Sequence, residues 1–280
     1  AEKGVVWGYI FINIVITAIF LIMHMFLSKR YLIVPDAHAH PDHNNERADW
    51  LGEFIKHTRP DVVVNLGDGA DMASLSSYDK GKKSFQGRTY KKDIDSHLDF
   101  QERTWSHVKR SKKKLPRRIY LIGNHEERIS RALELQAELE GTISYGDLDL
   151  ERWYDTTVHY SGGTPGTIEL DGISFAHYSV GGIAGRPISG EHHAYSLLAK
   201  NHCSTCVGHS HTFDYCVRTR ADGIKIIGLV AGCYQDYDSH YAGDAGRYWH
   251  RGLVVLDGVE KGAFDVRTIS LSQLKKEYGK

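Results

Sequence analysis

Short apolar runs in this chain repeatedly give way to a turn carrying Asp, Asn or His, and this junction limits the fold more than any other feature. YLIV (31–34) runs into PDAHAH, VVVNL (62–66) into GDGAD, and IYLI (119–122) into GNHE. ISFAH (173–177) closes on its own histidine, and the stretch ending at Val207 runs into GHSH. Each run is short, rich in β-branched or aromatic residues and bounded by turn residues, which predicts buried strands. Longer amphipathic stretches lie between them. NNERADWLGEFIKHT sets Trp50, Leu51, Phe54 and Ile55 on one helical face ahead of Pro60. Further helices are expected over 90–112, with Ile94, Leu98, Trp105 and Val108 inward, over 126–140, and over HHAYSLLAK. Beyond Cys206 the pattern predicts strands alone: a hairpin around Asp222 and Gly223, then GLVVLD and AFDVRTIS. Such an order specifies an α/β domain with a mixed sheet or two stacked sheets.

Ligand-type side chains at the carboxyl ends of strands stand where an α/β sheet places a site. The candidates are Asp36, His38, Asp68, Asn124, His125, His177, His209 and His211. Singly, each has a plainer reading, because Asp and Asn end strands as turn residues and a lone His is commonly structural. In extended backbone residues i and i+2 share a side, so Asp36 with His38, and His209 with His211, are expected to enter one cleft. Asn124 and His125 are adjacent and diverge. Carboxylate, amide and imidazole together suit Mn²⁺, Fe²⁺ or Zn²⁺ better than a thiolate zinc site. CSTCVGHSH also offers Cys203 and Cys206, but strand alternation points them to opposite faces, and they are read as small buried hydrophobes. With Cys216 and Cys233 they are too few and too clustered for a disulfide framework, which favours a reducing compartment.

The order D-x-H, G-D, G-N-H-E, a lone His and G-H-x-H resembles the calcineurin-like metallophosphoesterase superfamily over residues 31–256. The resemblance implies a four-layer α/β/β/α sandwich carrying two divalent ions, manganese first, with iron, zinc or nickel as alternatives. It implies that Asp36, His38 and His211 hold one ion, that Asn124, His177 and His209 hold the other, and that Asp68 bridges them. His125 would stand beside the scissile phosphate as general acid or transition-state stabiliser, with Asn124 also near substrate. Asp71 occupies the place where many relatives carry an acid, or is a solvated loop carboxylate. Such a pair of ions binds phosphate oxygens and lowers the pKa of a bridging water, and a positioned imidazole adds roughly 10² to 10⁴ in rate. The implied activity is metal-dependent hydrolysis of a phosphate ester. Phosphomonoesters, pyrophosphates and a non-catalytic scaffold of the same fold stand as alternatives.

Thirty-five basic and thirty-five acidic residues leave no net charge, so the chain as a whole is no partner for a polyanion. Between Tyr78 and Arg118, however, fourteen Lys or Arg face five Asp or Glu, most densely in KRSKKKLPRR. That segment tilts the expected substrate toward a phosphodiester or nucleic acid, with Arg88 and Lys91 as expected phosphate contacts; the plain alternative is a solvated helix end. Residues 4–27 contain no Asp, Glu, Lys or Arg. As a helix at roughly 1.5 Å per residue they would cross a bilayer. Residues 1–28 are therefore expected to form a membrane anchor or an N-terminal extension, and 29–280 the phosphoesterase domain. Lys29 and Arg30 place that domain on the cytoplasmic side.

Overall fold

A computed structural model of the chain describes residues 28–279 apart from 112–113, 184 and 240–241. In its first half β1 (Lys29–Val34), α1 (Glu46–Thr58), β2 (Val62–Asn65), α2 (Tyr90–Arg110) and β3 (Arg117–Leu121) alternate. They are followed by α3 (Arg128–Leu135), α4 (Leu150–Trp153) and β4 (Thr156–Val158). The second half contains β5 (Thr167–Leu170), β6 (Ile173–Ala176), β7 (Val180–Gly181), β8 (Arg186–Pro187), α5 (His193–Asn201) and β9 (Ser204–Val207). It ends with β10 (Phe213–Thr219), β11 (Lys225–Ala231), β12 (Gly252–Glu260), β13 (Ala263–Ser270) and α6 (Leu271–Tyr278).

The fold is mixed α/β. One sheet has the order β13-β12-β1-β2-β3-β4 and a second β10-β11-β9-β6-β5; β7 and β8 form a small hairpin. Strands β1 to β4 run parallel, and so do β6, β9 and β11, while β12, β13, β10 and β5 pair antiparallel with their neighbours. Period-two alternation divides the first sheet's side chains. Tyr31, Ile33, Val64, Ile119, Leu121 and Val254 join a buried cluster with Phe175, Cys206, Ile227 and Leu229 of the second sheet. Leu32, Val34, Val63, Tyr120 and Val255 face the other way, onto Trp50 and Phe54 of α1, Trp105 of α2 and Leu274 of α6. Val207 and Val230 on the second sheet's outer face meet Ala194 and Leu197 of α5.

Three expectations need correction. The membrane helix over 4–27 lies outside the described residues, and among the described residues no helix is long and apolar enough to cross a membrane. The longest of them, α2, has 21 residues with charges along its whole length, so the transmembrane assignment is not retained. The helix expected over 126–140 is shorter, because Gln136 leaves the helical region (φ −141°, ψ 79°) and only Ile129 and Ala132 of α3 are buried. Helices also do not end at Cys206. Ser270 caps α6 by accepting from the Gln273 N–H, and Leu271 and Leu274 bury its inner face.

Candidate metal centre

The carboxyl ends of β1, β2 and β3 and of β6 and β9 meet at one place, and each delivers its turn there. The D-x-H turn follows β1, G-D follows β2, G-N-H-E follows β3, His177 follows β6 and G-H-S-H follows β9. Backbone bonds lock the turns together: the His38 N–H reaches Asp68 O at 2.8 Å, and the Gly208 N–H reaches His177 O at 2.9 Å. Side chains reinforce them. The His209 N–H lies 3.0 Å from each Asp36 carboxylate oxygen, and the His125 N–H donates to Asp68 Oδ1 at 2.9 Å.

Convergence of the i, i+2 pairs has a different cause from the extended alternation expected. Asp36 (φ 34°), His38 (φ 46°), Asp68 (φ 50°), His209 (φ 68°) and His211 (φ 60°) all occupy left-handed backbone. Such a conformation in a non-glycine residue costs on the order of 1 kcal/mol or more and persists only where the surroundings over-determine it. Two glycines show how tightly they do. A Cβ at Gly123 would fall 2.1 Å from Asp68 Oδ1, and one at Gly208 2.3 Å from Asp36 Oδ2.

Two neighbouring groups of ligand atoms result: Asp36, His38 and His211, and Asp68, His177 and His209, each gathered within 4.8 Å. All are buried except His209, at the exposed mouth. Donor chemistry shows that both groups suit a cation. Leu66 O, 2.8 Å from His177 Nδ1, can only accept, so that nitrogen keeps a proton and Nε2 presents its lone pair once a cation displaces the second proton. The lone pair faces Asn124 Oδ1 at 2.9 Å, His209 Nδ1 at 3.2 Å and Asp68 Oδ2 at 3.3 Å. His38 repeats the arrangement. Its Nδ1 lies 2.9 Å from Asp71 Oδ1, which turns Nε2 toward His211 Nε2 at 3.2 Å and Asp68 Oδ2 at 3.9 Å. Asp36 Oδ1 stands 3.4 Å from the same His211 nitrogen. Lone pairs this close repel one another unless a proton or cation lies among them. The buried His and Asp groups can therefore hold metal ions.

The proton equilibria reflect that crowding. Burial alone would raise the Asp68 pKa, but the charges of His177 and His125 hold it well below the carboxylate range. Burial lowers His177, yet the charge and hydrogen bond of Asp68 lift it to about 9. His38 is pushed the other way, to about 4, by burial and then by His125. Imidazoles around one carboxylate are thus driven apart in pKa, the higher one holding a proton where a divalent cation would sit.

His125 shares a third group with His38 and Asp68, but it is a poor ligand. Its Nδ1 donates to Asp71 O at 2.6 Å, and its Nε2 accepts from Arg128 Nη2 at 3.0 Å. A guanidinium on that nitrogen repels a cation. Asp71 is buried and holds both His38 and His125, which removes the solvated-loop reading. Three other residues escape sequence reasoning. Glu126 accepts from the backbone N–H of Asp68, Ala70 and Gly123 and from the Tyr120 hydroxyl, all at 2.8–3.0 Å. Arg47, fully buried on α1, donates to the carbonyls of Ala37 and His38 at 2.7 and 3.1 Å, and to those of Tyr234 and Asn44. Arg128 is the third. Only Glu126 carries a visible signal, as the last letter of G-N-H-E.

A cleft of about 1190 Å³ opens over the centre. Arg88 lines it, but binds Asp79 at 2.8 Å and the Ala73 carbonyl at 3.1 Å, and so braces its own loop. Lys91 does not line the cleft; it is exposed on α2 and paired with Asp95, and its neighbour Lys92 lines the cleft instead. Of KRSKKKLPRR, Lys109 and Arg110 end α2 and Arg117 and Arg118 begin β3, at the end of the strands opposite the centre. Cys206 is fully buried and Cys203 partly so, and neither belongs to a ligand group. No protein-family model matches the chain, and no curated protein matches it.

Proposed function

We propose that the chain is a dinuclear metal-dependent phosphoesterase of the calcineurin-like type, its two sheets and flanking helices forming a four-layer α/β/β/α sandwich. The observation that carries this reading is the position of Asp68: its carboxylate lies in one ligand group with His177 and His209 and 3.9 Å from His38 of the other. Asp36, His38 and His211 would hold one cation, Asn124, His177 and His209 the second, and Asp68 both. Manganese is the first choice for this donor set. Such a pair, when bound, supplies Lewis acidity toward phosphate oxygens and an activated water near neutral pH.

The chain's own residues supply the rest. Asp71 orients His38 through Nδ1, as carboxylates do for metal-bound histidines. His125 would hand a proton to the leaving oxygen from Nε2, the nitrogen that Arg128 occupies here. A phosphate oxygen is the stronger acceptor for a guanidinium, so substrate would draw Arg128 away and free Nε2 to carry the proton. The cleft extends beyond the ligand groups to Ser76, Tyr78 and Lys92 and to Tyr237 and Trp249, and its volume of about 1190 Å³ is larger than a phosphate alone would fill. This favours a diester.

The test is a panel of monoester, diester, nucleotide and pyrophosphate substrates on Mn²⁺-loaded protein, with chelation and Asp68→Asn as controls. Hydrolysis should vanish on chelation, return with Mn²⁺, and fall at least a thousandfold in Asp68→Asn, a loss on the order of 4 kcal/mol in the barrier. Stoichiometric metal with no hydrolysis of any ester would leave only the scaffold reading.

A further inference from the structure

We propose that an aromatic shelf beside the metal centre seats a nucleobase, making the substrate a nucleoside phosphodiester. This rests on the phosphoesterase reading above and adds what the cleft wall recognises. The rings of His43 and Tyr237 stack with centroids 3.8 Å apart and planes 7° from parallel. The Tyr237 hydroxyl donates to the His38 carbonyl at 2.9 Å, so the stack is tied directly to the backbone of a ligand residue. His43 is exposed and lines the cleft, so its ring is within reach of an occupant. A second aromatic side chain, Trp249, stands edge-on to His211 with centroids 4.3 Å apart and lines the same cleft.

Another part of the lining, at Asp79, Lys82 and Arg88, has different chemistry. Lys82 and Arg88 share one carboxylate, Asp79, at 3.1 and 2.8 Å, so both side chains are held by their own loop. A simple monoester would leave the shelf unused. A nucleoside phosphodiester uses both features: its phosphate belongs over the ligand groups and its base has a π-face for the stack. Aromatic stacking of this kind tolerates any base.

The experiment uses the Mn²⁺-loaded full chain on a thymidine dinucleotide and on the same diester lacking both bases. Stacking should give the dinucleotide an advantage of about tenfold in kcat/KM, and His43→Ala should carry that ratio toward one. A dinucleotide containing 2-aminopurine should lose fluorescence on binding wild-type protein, and lose less with His43→Ala. Equal kcat/KM for the two diesters, or binding without quenching, overturns the shelf and leaves the phosphoesterase reading intact. Failure to cleave either diester with metal bound overturns the shelf and the diester preference, and only a parallel failure on monoester and pyrophosphate overturns the phosphoesterase reading as well. A cyclic mononucleotide and a single-stranded 12-mer, run in parallel, separate the two sources of the same chemistry. Faster turnover of the first assigns the shelf to free nucleotides, and of the second to a nucleic-acid strand.

Discussion

The two ends of β1, β2 and β3 handle charge in opposite ways. At the amino ends the partners come mostly as surface pairs: Arg30 with Asp257, and Arg118 with Asp155. At the carboxyl ends Asp36 and Asp68 are buried, and each accepts a backbone N–H from another turn and has an imidazole packed against it. An exposed pair contributes roughly 0–1 kcal/mol because water and salt screen it. Buried polar groups that share partners behave as a network, in which losing one member strands the others. The same strands therefore end in a tolerant surface on one side and an intolerant one on the other.

The sharpest way to break that contrast is to remove Arg47. Its guanidinium serves four carbonyls and also pairs with Asp236 at 3.0 Å, all from a fully buried position. Arg47→Ala should destabilise the protein by about 3–5 kcal/mol, the usual cost of stranding a buried charged network. The loss would be seen as a lower denaturant midpoint at unchanged slope. If instead the midpoint moved by no more than an exposed pair's worth, the carboxyl ends would be as forgiving as the amino ends.

Next in size is Glu126→Gln. Four donors converge on its carboxylate, and an amide nitrogen in place of one oxygen would face N–H or O–H groups that need an acceptor. The substitution should lower Mn²⁺ affinity by about 10–100-fold, as outer-shell changes do, because the backbone of Asp68 loses its anchor. Calorimetric titration of metal into both proteins measures this. Unchanged affinity would mean that the turn after β2 holds its shape without Glu126.

Glu126 also marks how far the sequence can be read. Strands β1, β2, β3, β6 and β9 are legible because apolar runs stop abruptly at turn residues, and the ligand candidates are legible as those turn residues. The left-handed backbone at Asp36, His38, Asp68, His209 and His211 is not, since a conformation imposed by packing between turns leaves no local mark at a non-glycine residue. Arg47 reads as the polar face of an amphipathic helix. Its burial follows only from the packing of α1 beside the turn after β1. His43 and Tyr237 lie 194 positions apart and form one stack, which no periodicity joins. Charge density misleads in a different way: KRSKKKLPRR is the most basic stretch, yet it begins only in the last two residues of a 21-residue helix that leads away from the cleft.

That displacement yields the smallest expected effect, and it separates the two ends by function. Lys114 and Arg117 are exposed at the amino end, whereas Lys92 is exposed on the cleft wall. Removing one phosphate-binding cation should reduce the slope of log affinity against log salt by about one. Lys92→Ala should therefore flatten the salt dependence of oligonucleotide kcat/KM by that much between about 50 and 200 mM salt. The double substitution Lys114→Ala, Arg117→Ala should leave the slope unchanged and stability within about 0.5 kcal/mol. A flatter slope in the double variant would mean that nucleic acid wraps past the cleft to the far end of the sheet, and the tolerant end would then have a binding role of its own.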